Sequence, residues 1–207
     1  MARTYRRKAT VPQFDPLPSL EQAVSLLNKA KVKYALIGGI ALWEYVSPDL
    51  RRYTGDVDFA VPHNAISRLG KAIIASGFRA RSLPIGGLAI RQRGIVVDFV
   101  DRHPELDWLF EDAIEAAHKN GPVISVGACE IPVVPKGYLI ALKLATGERK
   151  DEGDVRSLLF TVSKREYYRL RRLIREVFGP DGALRLDALA RMIRHPAVAG
   201  GHYRFPG

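Results

Sequence analysis

The sequence predicts an α+β fold: a small β-sheet, flanking helices and a C-terminal helical region. Three observations predict it. Short apolar or alternating runs, the marks of strands, crowd between Tyr34 and Val134. Apolar residues spaced by three and four, the mark of amphipathic helices, dominate before Tyr34 and again after Lys136. One stretch, Tyr34–Val61, reads YALIGGIALWEYVSPDLRRYTGDVDFAV and joins both signals as strand, glycine turn, short helix, loop and strand.

Composition bounds the rest. A chain of 207 residues makes one domain of ordinary size with an appendage, or two small ones. The pattern divides it into a flexible basic arm over 1–18, a core over 19–134 and a helical region over 135–207. Hydrophobic residues at 47% supply a sizeable core and exclude global disorder. With 32 Lys+Arg against 22 Asp+Glu the chain carries +10, which draws polyanions such as nucleic acid, nucleotide or an acidic membrane surface, or else serves solubility alone. Cys129 is the single cysteine, so no intrachain disulfide forms, which fits a reducing compartment and hence the cytoplasm. No apolar run approaches the ~20 residues of a membrane span. The basic N-terminus is not followed by the apolar segment of a secretory signal.

The elements follow in order. Arg3, Arg6, Arg7 and Lys8, then Pro12, Pro16 and Pro18, make the N-terminal arm, either a frayed end or a nucleic-acid contact. Ser19 with Gln22 is a capping-box pattern that starts a helix to about Ala30, with Leu20, Val24 and Leu27 on its apolar stripe. Tyr34–Ile37 is a buried strand, and Gly38-Gly39 ends it and opens a short helix. Asp56, Val57, Asp58, Phe59 alternate as a second strand. Asn64 caps a helix that runs to Gly77. Phe78–Arg81, Leu88–Gln92 and Ile95–Val100 are strands, the last two joined by a tight Arg93-Gly94 turn. Pro104–Asn120 is an amphipathic helix. Val123–Val126 and Cys129–Val134 form a hairpin around Gly127-Ala128, with Cys129 a small packed residue. Lys136–Ala145 and the segment from Lys150 are helices, with Lys150 and Asp154 spaced for a surface ion pair. Ser163 with Glu166 is a second capping box, opening a helix that ends at the turn Gly179–Gly182. Leu184–Ile193 is a last helix, and Gly200–Gly207 is loose.

Certain residues in these elements carry chemistry. Strand parity puts Asp56 and Asp58 on one face, about 7 Å apart at ~3.3 Å per residue. Two carboxylates so placed repel unless a cation lies between them. A glycine turn opening a helix offers free N–H groups and a positive helix end, which suits phosphate. The two grips together are the chemistry of nucleoside triphosphate handling. Asp98 stands among Val96 and Val100 on an otherwise apolar strand face, costly unless it is paired or binds metal. It is therefore either a ligand beside Asp56 and Asp58 or a salt-bridging aspartate. Arg51 and Arg52 precede the aspartates and either hold triphosphate oxygens or stand solvated. Lys143 lies in an apolar helix, where it snorkels or reaches an anion. Arg165, Arg169 and Arg172 make a stripe on the helix after Ser163, either a phosphate-backbone contact or a solvated face.

Gly38-Gly39, then Arg52-Tyr53-Thr54-Gly55-Asp56-Val57-Asp58-Phe59, then Val97-Asp98-Phe99 resembles the DNA polymerase β-type nucleotidyltransferase superfamily. Leu139–Leu144 with Lys150, Asp151 and Asp154 is similar to the AbiEii-type members, some of them toxins of toxin–antitoxin pairs. The resemblance spans about Tyr34 to Leu159, with a longer interval from Gly39 to Asp56 than in many members. It implies a small mixed sheet of nucleotidyltransferase type. It implies that Asp56, Asp58 and Asp98 hold two Mg²⁺ ions, that Gly38, Gly39, Arg52 and Thr54 contact the nucleoside triphosphate, that Lys143 neutralises its charge, and that Asp154 orients Lys143 or the acceptor. The expected activity is transfer of a nucleoside monophosphate from an NTP to an acceptor hydroxyl. The acceptor is tRNA or another RNA, a protein side chain or a small molecule such as an aminoglycoside, and an antitoxin protein is an expected partner. The alternative is a non-catalytic protein of the same fold that binds RNA or a partner protein. The three acidic groups favour the enzyme, since a binder has no reason to hold them together.

Overall fold

The computed structural model describes residues 15–51, 54–147 and 149–198. The basic arm up to residue 14, Arg52 and the segment 200–207 lie outside the described residues. The chain runs α1 (Leu17–Lys29), β1 (Ala35–Ile37), α2 (Gly38–Leu42), β2 (Asp56–Ala60), α3 (Ile66–Ala75), β3 (Arg81–Ser82), β4 (Gly87–Gln92), β5 (Ile95–Val100), α4 (Asp107–Asn120), β6 (Val123–Val126), β7 (Cys129–Pro132), α5 (Lys136–Thr146), α6 (Arg149–Leu159) and α7 (Lys164–Met192). One sheet has the order β1-β2-β5-β4-β3, and β6 and β7 form a separate hairpin. The β2–β5 pair is parallel and the other pairs are antiparallel, so the sheet is mixed. The hairpin is tied to β1 through the Val134 N–H, which donates to Leu36 O at 3.1 Å.

Alternation along the two central strands decides what each face does. Val57, Phe59, Val97 and Phe99 point to one side and are fully buried. Phe59 and Phe99 stack at 6.1 Å, and Tyr34 meets Phe59 edge-on at 5.6 Å. At about 25 cal/mol per Å² of apolar area, each buried aromatic contributes a few kcal/mol, so this cluster anchors the register. Asp56, Asp58 and Asp98 are left on the other side. The Arg93-Gly94 turn between β4 and β5 has both residues at positive φ, 47° and 87°. That is the backbone twist a two-residue hairpin requires.

Several boundaries differ from the sequence expectation. Helix α1 begins at Leu17 after Pro16, and Ser19 lies inside it with a buried Oγ that has no hydrogen-bond partner, so it is no cap. Prolines at the start, Pro16 and Pro18, pre-set helical φ and outweigh the capping-box signal at Ser19. Asn64 falls in a short 3-10 turn, His63–Ala65, and α3 starts after it without a side-chain cap. Phe78 is not in a strand. Its N–H closes the end of α3 on Ile73 O at 3.2 Å, past Gly77 at φ 81°, and β3 shrinks to Arg81–Ser82. The Ser163–Glu166 capping box forms with both hydrogen bonds, 2.8 and 3.3 Å.

Helix α7 is interrupted at Gly179, whose φ of 70° and ψ of −167° are non-helical. A straight helix would separate residues twenty apart by about 30 Å. Yet the Tyr167 hydroxyl donates to Asp187 Oδ1 at 2.6 Å, and Arg171 Nε donates to the same oxygen at 2.9 Å. The chain therefore folds back at Gly179 into a helical hairpin, locked by one buried carboxylate.

Candidate active site

The parallel β2–β5 register pairs Asp58 with Asp98 and Asp56 with Val96. Paired residues on neighbouring strands share a face. Asp58 and Asp98 are thus side by side, with Asp56 one pleat back on β2. All three line one cleft of about 210 Å³ with Gly38, Gly39, Lys143, Thr146, Lys150 and Asp151. Phe110 of α4 and Leu139 and Leu142 of α5 form its apolar wall.

Gly38 and Gly39 enter the cleft because nothing larger fits. Gly38 has φ 72°, and a Cβ there would overlap the Asp58 carboxylate. A Cβ on Gly39 would overlap the Thr54 side chain. Thr54 itself is buried, donates its hydroxyl to Asp56 Oδ1 and does not line the cleft. It holds the aspartate from behind.

The electrostatics are those of acids crowded together. Burial, then the charges of Asp56 and Asp98, push the Asp58 carboxyl up from 3.8 to about 7, with Lys143 and Lys150 pulling the other way. Burial also raises Asp98, partly offset by Arg81 and reinforced by Asp56. Asp98 Oδ1 is buried without a hydrogen-bond partner. Such an atom costs about 1–3 kcal/mol when left unmet. Among the described residues no group of three His, Cys, Asp or Glu side chains is already gathered around a metal position. The donor set nonetheless suits Mg²⁺, which takes carboxylate oxygens and keeps several waters of its own. The orphaned Asp98 oxygen is the atom that such an ion would satisfy.

Lys143 neither snorkels nor stands free. It is buried at 5% exposure and donates to Asp151 Oδ1 at 3.0 Å and Asp154 Oδ2 at 2.6 Å. Asp154, expected at the surface, is buried at 3% exposure beside Lys143. Asp151 also accepts from the Thr146 hydroxyl. The lysine is thereby fixed at the cleft wall by α6. Sequence reasoning named no role in the cleft for Lys150 or Asp151 themselves. Their i, i+3 and i, i+4 relation to Asp154 on α6 was a usable signal for one face turned toward α5. Arg165, Arg169 and Arg172 are exposed on α7 and none of them lines the cleft.

This mixed sheet, with its flanking helices and C-terminal helical hairpin, has the nucleotidyltransferase fold. The chain is similar to the antibiotic-resistance factor ANT(2'')-Ia, with a TM-score of 0.52 and 12% identity, over 86% of this chain and 97% of that one. It is also similar to an antigenic nucleotidyltransferase-like protein from Paracoccidioides brasiliensis, with a TM-score of 0.51 and 18% identity, over 89% of this chain and 93% of that one. Identities this low show the fold alone. No protein-family model and no curated protein matches the chain.

Proposed function

We propose that this chain is a Mg²⁺-dependent nucleotidyltransferase that moves a nucleoside monophosphate from an NTP to a hydroxyl of RNA, tRNA among them. The observation that carries the reading is the in-register pair Asp58 and Asp98, with Asp56 one pleat back, facing a cleft bordered by Gly38, Gly39 and Lys143. Asp56, Asp58 and Asp98 would hold the metal, which supplies Lewis acidity toward the triphosphate and the acceptor hydroxyl.

This chain's own residues do the rest. The Gly38-Gly39 backbone lets phosphate approach where a side chain would block it. Lys143, oriented by Asp151 and Asp154, sets a fixed positive charge against the triphosphate, and Arg52 adds a guanidinium from the loop. Thr54 acts through Asp56. The acceptor oxygen bonds to the α-phosphorus, the α–β anhydride bond breaks, and pyrophosphate leaves. The hydroxyl proton passes to the Asp98 carboxylate. Positioning and electrostatics supply most of the rate in such transfers. Away from the cleft, the Arg165, Arg169 and Arg172 stripe contacts the body of the RNA. The likeness of Leu139–Asp154 to AbiEii-type enzymes supports a toxin role in the cytoplasm, with an antitoxin protein as partner.

Incubation with each α-labelled NTP, Mg²⁺ and total RNA tests the reading. Label should enter RNA only with Mg²⁺, and Asp58→Asn should lower incorporation at least a thousandfold. The reading fails if no triphosphate labels any acceptor, or if Asp58→Asn labels as well as the parent.

A further inference from the structure

The row of paired residues that contains the two aspartates does not stop at them. Asp98 pairs with Ala89 on β4, and Ala89 pairs with Arg81 on β3. Ile37, Asp58, Asp98, Ala89 and Arg81 therefore cross the sheet on one face. One pleat along β4, Arg91 pairs with Val96 and shares that face. Strands lie about 4.8 Å apart and residues two apart along a strand about 7 Å. Arg81 thus stands two strands, roughly 10 Å, from Asp98, with only the small Ala89 between them. Arg81 and Arg91 are both exposed. Arg81 makes no hydrogen bond or ion pair with another described residue, and Arg91 spends one N–H on Gly94 O at 3.0 Å.

A third arginine closes the far side. Arg102 follows β5 and lines the cleft on the same side as Val100 and Asp98. Its Nε is buried without a partner among the described residues, and its Nη2 reaches only the exposed Glu105, at 3.5 Å. Its backbone sits at φ 52°, unusual for a residue with a Cβ. Buried Asp101 braces this turn, accepting from the His103 N–H at 3.3 Å and bonding His63 Nδ1 at 2.7 Å. A strained backbone held by buried polar contacts, carrying an under-satisfied guanidinium into a cleft, is a hallmark of a ligand contact.

We infer that the β5–β4–β3 face beside Asp98 is the acceptor subsite, and that Arg81, Arg91 and Arg102 hold the phosphates of an RNA 3′ end whose hydroxyl lies at Asp98. The inference rests on the nucleotidyltransferase reading and goes beyond it by assigning the acceptor surface. Three guanidiniums around a small-residue floor suit a phosphodiester strand. They repel a polycationic small molecule. They also lack the apolar anchor pockets on which protein partners depend.

The variant Arg81→Glu, Arg91→Glu, Arg102→Asn tests this. Two of the sites are exposed strand positions, and Asn tolerates the positive φ of the third. A single-stranded RNA with a free 3′ hydroxyl is the probe, and binding is followed by fluorescence anisotropy from 50 to 300 mM salt. The variant should bind the RNA at least tenfold more weakly and flatten the log–log salt slope by about 2, at ~0.7 per lost phosphate contact. Its KM for RNA should rise by a larger factor than its Kd for Mg²⁺–NTP, since Arg102 also lines the cleft and Arg81 also acts on Asp98. Arg102→Lys should keep part of the affinity. An unchanged salt slope with RNA labelling intact overturns the subsite while leaving the transferase reading in place. Labelling of a protein or a small molecule by the parent, and not of RNA, overturns the subsite and the RNA acceptor together. Loss of NTP binding in the parent itself overturns the transferase reading.

Discussion

At the scale of single residues, the cleft is an arrangement of charges that oppose one another until a cation arrives. Asp58 binds its proton more tightly in the folded chain than an ordinary carboxyl at 3.8 does, with a pKa of about 7. A raised folded-state pKa adds stability that is fully present below the unfolded value and is lost as pH rises through the folded one. The metal-free protein should therefore lose melting temperature relative to Asp58→Asn between about pH 4 and 7. Mg²⁺ competes with that proton, so it should raise the melting temperature more at pH 8 than at pH 5. Parallel melting curves for parent and variant across this range would refute the crowding of charge at Asp58. Lys143 makes the opposite case, a buried cation already paired. Lys143→Ala removes the buried cation that Asp151 and Asp154 share, and breaking a buried pair costs about 3–5 kcal/mol. Urea unfolding should show that loss, and triphosphate affinity should fall with it. A variant as stable as the parent would mean that the two aspartates find another partner.

At the scale of elements, the helical hairpin of α7 depends on one carboxylate. Asp187 accepts from Tyr167 and Arg171 across the break at Gly179. Asp187→Ala should cost about 3 kcal/mol in urea unfolding, because it leaves the buried Tyr167 hydroxyl without its acceptor and takes from Arg171 the carboxylate that ties it across the break. Asp187→Asn, which keeps an acceptor, should cost less. The outer face of the same helix carries Arg165, Arg169 and Arg172, all exposed. Reversing the three to Glu should flatten the salt dependence of RNA binding and slow transfer to RNA, while NTP and Mg²⁺ binding survive. An unchanged salt slope would make the stripe a solvated face and leave the β3–β5 arginines as the RNA contact. Elements with a strong local signal were legible in sequence. The Ser163 capping box, the Arg93-Gly94 turn and the β6–β7 hairpin are each settled within a few residues. The failures at Ser19, Asn64 and Phe78 share a cause: two local signals competed, and the one that also satisfied the neighbouring backbone won.

At the scale of the whole molecule, the +10 charge and the acidic cleft are complementary parts of one device. On the proposed function, a basic surface would gather the RNA and a small acidic centre, charged with a divalent cation, would receive its end. On that reading the long-range field would raise encounter with RNA and fall off with salt, whereas the buried Lys143 pair is screened little. Among the described residues no helix is long and apolar enough to cross a membrane. The cleft lies between the sheet and α5, so α6, which fixes Lys143, couples the helical region to the carboxylates on the strands.

The sequence by itself determined the parity of the DVD and VDF strands, the glycine pair that must stay small and the strands and helices around them. The strand parity and the turn at Gly38 are local matters, decided by the period of two in a strand and by a positive φ, whereas Asp58 and Thr54 are what crowd the two glycines from a distance. Tertiary structure alone decided which strands became neighbours and in what register. A slip of one residue between β2 and β5 would have turned Asp98 to the opposite face from Asp58, and nothing in either strand's own spacing forbids it. The packing of Phe59 against Phe99 does forbid it, because the slip would turn the Phe99 ring out of the core and away from Phe59. The same distance from sequence hides the partners of Lys143, the fold-back at Gly179 and the place of Arg81 in the aspartate row. Each depends on residues far apart in the chain, which only the packed sheet and helices bring together.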